Sequence, residues 1–399
     1  MKIIPYGKQY IDSKDIAAVV KVLKSDYLTQ GPSVLEFEKE FSKYVDSKYS
    51  VALSNGTAAL HIACLALGVS SNTNVITTSL TFSASANCVK FLGGNVWFVD
   101  IDRDTYLMDF DKLTNLIDSK PIGFFSGIIP VDFAGSPINL EILKKIANKN
   151  KLWVIEDACH APGAFFIDQN SIKQKSGNGN FSDFSIFSFH PVKHITTGEG
   201  GMLTTNNIEL YNKALLYRSH GIVRDSNKFT NTIALSIGED ITENKEWPGW
   251  YMEMQELGYN YRITDIQAIL GKSQLQKAES SIVKRINIVK RYEKAFKKNT
   301  NILKYTKFLE GHAYHLYIIE VNDRYNLYTF LKKRGIFTQV HYFPLHLMPY
   351  YQQFGWKVND FPHCEDYYRK CLSLPIYPTL SIKEQEYVID SINAFFNES

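Results

Sequence analysis

A chain of 399 residues has room for about two or three domains, or one large domain with a smaller one. Its 45% hydrophobic and 21% charged residues are those of a globular soluble enzyme, and a net charge of +3 with no basic stripe argues against nucleic acid or an anionic membrane as partner. Five scattered cysteines with no CxxC pair argue against a disulfide framework or metal site and point to a reducing cytoplasm; no apolar run reads as a membrane span or as the core of a signal peptide.

Residues 1–12 read as an extended arm containing Pro5 and Gly7. Asp12 or Ser13 can cap a helix with Ile16, Val19, Val20 and Leu23 at helical spacing. The segment Leu28–Pro32 breaks it. A second amphipathic helix follows, with Val34, Phe37, Phe41 and Tyr44 on one face and Glu36, Glu38 and Glu40 near its start, where the helix dipole favours acid. From Tyr49 short apolar strands alternate with helices: YSVALS, TAALHIACLALG, NVITTS, SASANCVKFLG, NVWFVDI, DFDKLTNLID, GIIPVDF, NLEILKKIANKN and KLWVIED. Repeated βα units of this kind predict a largely parallel sheet covered by helices. FSDFSIFSF and GGMLTTN add two strands joined by the stretch around Lys193.

Residues 225–256 are the least regular part and read as a long surface loop, with two tryptophans and Pro248 suited to docking. From Gly258 a long helical segment leads to a strand HAYHLYIIEV, a helix YNLYTFLKKRG, a strand FTQVHYF and a final helix SIKEQEYVIDSINAFF. The expected organisation is an arm (1–12), a large α/β domain (13–257) and a smaller α+β domain (258–399).

Four sites carry chemistry. Ser54-Asn55-Gly56-Thr57-Ala58 is a strand end, a glycine turn and a helix start, and helix starts offer free N–H groups and a positive dipole end to a phosphate. By itself it reads as a plain turn. Asp157, in IEDACH, ends an apolar strand where open α/β sheets place ligands. A carboxylate there can keep a pyridine nitrogen protonated, or simply cap the next turn. His160 reads either as a neighbour of such a ring or as a satisfied buried histidine. Lys193 follows Asp157 by one intervening strand, with Ser188 upstream and the tight turn Thr196–Gly201 downstream. An ordinary surface lysine needs none of these neighbours; a lysine bonded to pyridoxal 5′-phosphate (PLP) does. The fourth site is Gly258–Arg262, a loop whose Asn260 either caps the next helix or reaches a phosphate across a dimer interface.

The order EDACHA then FSFHPVKHITTGEGG resembles that of aspartate-aminotransferase-like, fold type I PLP enzymes. With LTQGP, SNGTAALH, RSHGI, ELGYNYRITDIQAILG, HAYHLYII and QVHYFPLHLMPYY, the chain resembles the DegT/DnrJ/EryC1/StrS nucleotide-sugar aminotransferases nearly end to end. Its N-terminal IPYGKQYI…LTQGP is most similar to the pseudaminic-acid branch, which aminates C4 of a UDP-linked 2-acetamido-2,6-dideoxy-4-keto-hexose with glutamate as donor. Amination at another carbon, or of a dTDP-linked sugar, is the nearest alternative. The resemblance implies that Lys193 forms the Schiff base and Asp157 pairs with the pyridinium nitrogen. Ser188, Thr57 and the Gly56 and Ala58 backbone would hold the phosphate. It also implies that Phe82 stacks on the ring, that His160 lies beside it, and that Asn260 comes from the partner in a homodimer with shared sites. Tyr6, Lys8, Thr29 and His315 fall in segments lining the sugar-nucleotide cleft. Relatives that dehydrate sugars carry histidine at the lysine position; here Lys193 is present between His190 and His194.

Overall fold

The computed structural model describes residues 3–238 and 246–398. The stretch 239–245, inside the irregular segment anticipated at 225–256, lies outside the described residues.

Two helices precede the sheet. Asp12 caps α1 (Ser13–Leu23), its side chain accepting from Lys14 and Asp15 N–H while the Asp15 carboxylate accepts from the Asp12 N–H. The expected apolar stripe of α1 does not face the core: Ile16 is 58% and Leu23 54% exposed. The face that packs is polar instead. Asp15 is fully buried, accepts from Ser273 Oγ at 2.7 Å and Gln274 Nε2 at 2.8 Å, and pairs with Lys277. Helix α2 (Pro32–Val45) buries Phe37 and Phe41 completely, as its periodicity predicts, each contributing about 2 kcal/mol by leaving water. Of its glutamates, Glu38 is buried and bonded to Arg218 at 2.6 Å and to the Ala52 N–H at 2.8 Å, so it serves tertiary packing rather than the dipole.

The alternation from Tyr49 onward folds into β1 (Tyr49–Leu53), α3 (Gly56–Ala66), β2 (Asn74–Thr78), α4 (Ala84–Lys90), β3 (Asn95–Val99), α5 (Phe110–Asp118), β4 (Gly127–Ile129), α6 (Leu140–Lys149), β5 (Trp153–Asp157), β6 (Phe184–Ser188), β7 (Gly201–Thr205) and α7 (Ile208–Arg218). The seven strands form one sheet in the order β1-β7-β6-β5-β4-β2-β3. All neighbouring pairs are parallel except those made by β7, which runs antiparallel to β1 and β6. This is the large, mostly parallel sheet of a fold type I enzyme. Burial runs along nearly whole strands, as a sheet covered on both faces requires.

The single long helical segment expected after Gly258 is two helices, α8 (Asp265–Leu275) and α9 (Ala278–Phe296), because the chain turns at Gln276–Lys277. Helix α8 packs on α1 and α2. Helix α9 packs into a second core with α10 (Arg324–Lys333), α11 (Ile382–Glu398) and an antiparallel sheet of Lys304–Tyr305, β8 (Tyr317–Glu320) and β9 (Cys371–Leu374). The segment read as a strand FTQVHYF makes only one bridge, Gln339 to Ser373; its side chains are used by a cavity instead. The N-terminal arm is tied down, with Ile4 bridged to Ile336 and buried in the second core. Among the described residues no helix is long and apolar enough to cross a membrane.

Candidate active site

The carboxyl ends of the parallel strands converge on the start of β7. Leu53, last in β1, and Ser188, last in β6, both sit opposite Gly201, while Asp157 ends β5 beside Ile186 of β6. Gly201 admits no side chain: a Cβ there would lie 2.7 Å from the Gly56 nitrogen and closer still to the Asn55 carbonyl oxygen. Chain crowding here presses the start of α3 against the end of β6, where a Cβ on Gly56 would come within 3.1 Å of Ser188 Cβ. Asn55 caps α3 by accepting from the Ala58 N–H at 2.8 Å. The Gly56 and Thr57 amides precede that bond and are the first-turn donors a helix leaves free.

Above this edge lies a cavity of about 760 Å³. Of the residues singled out in the sequence, Tyr6, Gly56, Thr57, Ala58, Phe82, Asp157, His160, Ser188, Lys193 and His315 all line it. Lys8, Thr29 and Asn260 do not; each is exposed elsewhere on the chain. Asn260 sits between Tyr259 and Tyr261, whose rings stack at 5.0 Å, and strand-like alternation turns it away from them. Phe82 is 57% exposed in the isolated chain, a ring face without a protein partner over much of its area.

Lys193 is half-buried, its backbone N–H bonded to the His190 carbonyl at 2.8 Å. Burial lowers the pKa of its ammonium, with Cys159 and Asp157 opposing the shift. Asp157 has a donor on each oxygen: Ser85 Oγ at 2.6 Å from Oδ2 and the Cys159 N–H at 3.2 Å from Oδ1. Three imidazoles cluster beside them with tilted rings, His160 to His315 at 4.3 Å and His315 to His194 at 5.7 Å between centroids. Burial, and after it neighbouring positive groups that include Lys193, holds all three well below the usual histidine range. His341 is pushed down to about 3 by the same causes. His160 Nε2 meets the Tyr342 hydroxyl at 3.1 Å; its Nδ1 and that of His315 have no partner among the described residues.

This donor set fits PLP. Helix-start amides and the Ser188 hydroxyl suit a phosphate, a buried carboxylate suits a cationic ring nitrogen, an amine of lowered pKa suits a carbonyl carbon, and the unpartnered His160 Nδ1 leaves a polar atom for the ligand. Sequence reasoning missed Thr81, Ser85, Gln339, His341 and Tyr342, while Tyr261 belongs to the fourth stretch it singled out. Ser85 reads as an ordinary small helix residue, and Gln339–Tyr342 read as a strand; only the fold brings them here.

The fold and this site define a PLP-dependent aminotransferase of fold type I. The chain belongs to the DegT/DnrJ/EryC1/StrS aminotransferase family, which it matches over residues 9–393. It is 38% identical over 399 residues to an uncharacterised protein of Methanocaldococcus jannaschii, covering 98% of this chain and 96% of that one. It is 34% identical over 396 residues to the UDP-4-amino-4,6-dideoxy-N-acetyl-beta-L-altrosamine transaminase of Campylobacter jejuni, with the same 98% and 96% coverage. Among solved structures it resembles PseC of Helicobacter pylori, an aminotransferase of pseudaminic acid biosynthesis, at 30% identity and TM-score 0.84 over 100% of both chains. The PLP form of the sugar aminotransferase Spr1654 of Streptococcus pneumoniae matches with TM-score 0.86 at 27% identity, over 100% of this chain and 99% of that one.

Proposed function

We propose that this aminotransferase moves the amino group of glutamate to the C4 keto carbon of a UDP-linked 2-acetamido-2,6-dideoxy-hexos-4-ulose, in the cytoplasm, for pseudaminic acid or a related surface sugar. The observation that carries the reading is one cavity holding Lys193, Asp157, Ser188 and the Gly56–Thr57 helix start together, in a chain similar over its whole length to a transaminase acting on such a sugar.

When bound, PLP supplies a conjugated ring that takes up the electron pair released at the reacting carbon. The chain's own residues do the rest. Ser188, the Thr57 hydroxyl and the Gly56 and Thr57 amides hold the phosphate; the Ala58 backbone, expected to join them, has its N–H taken by Asn55 Oδ1. Asp157 holds the ring nitrogen protonated. Phe82 and His160 flank the ring, His160 as a neutral imidazole. Lys193 Nζ moves the proton between donor and acceptor carbons; its lowered pKa raises the fraction that is a free amine and hence a base. Tyr6 and His315, on the cavity wall, are better placed to meet the sugar than the exposed Lys8 and Thr29. Asn260 belongs to the partner's site in a homodimer, which agrees with its exposure and its absence from its own chain's cavity.

The test is incubation with glutamate and a panel of UDP- and dTDP-keto sugars, with the aminated carbon assigned by NMR. Turnover of the UDP 4-keto sugar at C4 is expected. Amination at C3, or preference for a dTDP sugar, would replace the proposed substrate while leaving the class intact. Initial-rate lines at varied glutamate and sugar should be parallel; intersecting lines would overturn the two-stage transfer.

A further inference from the structure

Asp157 is held by a residue from a helix that sequence reasoning gave no role. Ser85, near the start of α4, is fully buried, and its Oγ lies 2.6 Å from Asp157 Oδ2. A second acceptor is in reach, the Phe82 carbonyl at 3.3 Å. One hydroxyl proton cannot serve both equally. The shorter bond ends on a carboxylate, and hydrogen bonds to an ionised partner are about twice as strong as neutral ones, so the proton goes to Asp157. Thr81 Oγ1 sits 2.8 Å from Ser85 Oγ. Distance alone leaves the direction of that bond open. The commitment of the Ser85 proton settles it: Ser85 has only lone pairs left, so Thr81 donates. Thr81 is 1% exposed and lines the cavity.

We propose that Thr81, Ser85 and Asp157 form a one-way hydrogen-bond chain that fixes the orientation of the Asp157 carboxylate, which makes Ser85 a positioning residue for the cofactor's ring nitrogen. This rests on the reading of Asp157 as the partner of that nitrogen. The Ser85 bond is the shorter of the two that Asp157 receives, the Cys159 N–H lying at 3.2 Å. A donor on Oδ2 stops the carboxylate from rotating, so its charge stays directed at the ring nitrogen and favours the protonated form of that ring. Without that donor, one buried carboxylate oxygen loses its partner, the side chain gains rotational freedom, and the ring nitrogen loses the fixed anion that favours its protonated form.

The experiment uses holoenzyme reconstituted with PLP labelled with ¹⁵N in the ring. The ¹⁵N NMR signal reports protonation of the ring nitrogen, and titration of the apoenzyme gives PLP affinity. Ser85→Ala should move the signal toward unprotonated pyridine and weaken PLP binding about tenfold, the loss of one hydrogen bond to a charged group. Thr81→Val should shift the signal the same way by less, and Thr81→Ser should leave it in place. Asp157→Asn is the control. If Asp157→Asn shifts the signal while Ser85→Ala and Thr81→Val leave it at the wild-type position, the chain is overturned and the Asp157 reading stands. If Asp157→Asn itself leaves it unmoved, the reading of Asp157 fails. Should Ser85→Ala not fold, Thr81→Val against Thr81→Ser decides alone: equal signals refute the chain.

Discussion

Two cavities of similar volume open against the seven-stranded sheet, about 760 Å³ over the strand ends and about 750 Å³ beside the edge strand β3. Their walls differ in kind. The second is carpeted by aromatic rings that meet edge to face: Trp97 against Trp356 at 6.3 Å, Phe98 against Trp356 at 5.5 Å and against Phe361 at 6.2 Å. Its polar atoms are largely spoken for. Trp97 Nε1 donates to Asn74 Oδ1 at 3.1 Å, and Lys90 Nζ donates to the Gly94 carbonyl at 2.9 Å while lying over the Phe354 ring. The first cavity holds a lysine of lowered pKa, a doubly held carboxylate, and imidazole nitrogens without partners among the described residues. Buried polar atoms are normally paired. Space alone therefore does not mark a site; unpaired polar atoms facing that space do.

The sharpest way to break this contrast is Lys193→Ala. Transamination should fall by at least about a thousandfold, the worth of a nucleophile that is also the proton carrier, and the protein should lose its reducible covalent link to PLP. Retained turnover would place the chemistry elsewhere. Asp157→Asn, which keeps shape and removes charge, should cost about a hundredfold in kcat/KM, with the loss read in steady-state rates. In the aromatic cavity, Trp356→Ala should leave kcat/KM within about twofold but lower unfolding stability by about 2 kcal/mol in urea, less than for a fully buried tryptophan because Trp356 is half-buried. A large activity loss there would erase the distinction between the two cavities.

A further way to sharpen the comparison is pH. His160, His194, His315 and His341, at or behind the wall of the first cavity, all have pKa values lowered by burial. The unfolded chain takes up these protons near pH 6.5, and the folded chain only at lower pH. Their neutral burial thus stabilises the fold fully above about pH 6.5, and each histidine loses about 1.4 kcal/mol per pH unit below it. For His341 that window extends down to about 3. Melting of the apoprotein should fall from pH 7 to 5, and His315→Asn should flatten the slope. No histidine lines the aromatic cavity, so Trp356→Ala should shift the curve equally at both pH values.

How far the sequence reached follows from what each residue does locally. Lys193, Asp157, Ser188 and Gly56 were legible because they stand where a strand stops and a turn begins, and those boundaries are written in neighbouring residues. The βα alternation was legible for the same reason. Ser85 was not: it is separated from Asp157 by 72 positions, and nothing beside it hints at a carboxylate. The outward stripe of α1 misled the other way. Ile16, Val20 and Leu23 obey helical periodicity, but Asp15 anchors the opposite face through Ser273, Gln274 and Lys277. Periodicity reports that a helix has two faces; which one is buried depends on partners more than two hundred residues away, 258 in the case of Ser273.

Gly201 carries a consequence for how this chain can change over generations. Most core substitutions collide with side chains, and a second mutation can make room. A side chain at Gly201 would meet the Asn55 carbonyl and the Gly56 nitrogen, which every amino acid shares. No compensating replacement at position 55 or 56 removes those atoms. Selection for suppressors of Gly201→Ala should therefore return glycine at that position and little else, a genetic record of two strands and a helix start meeting at one point.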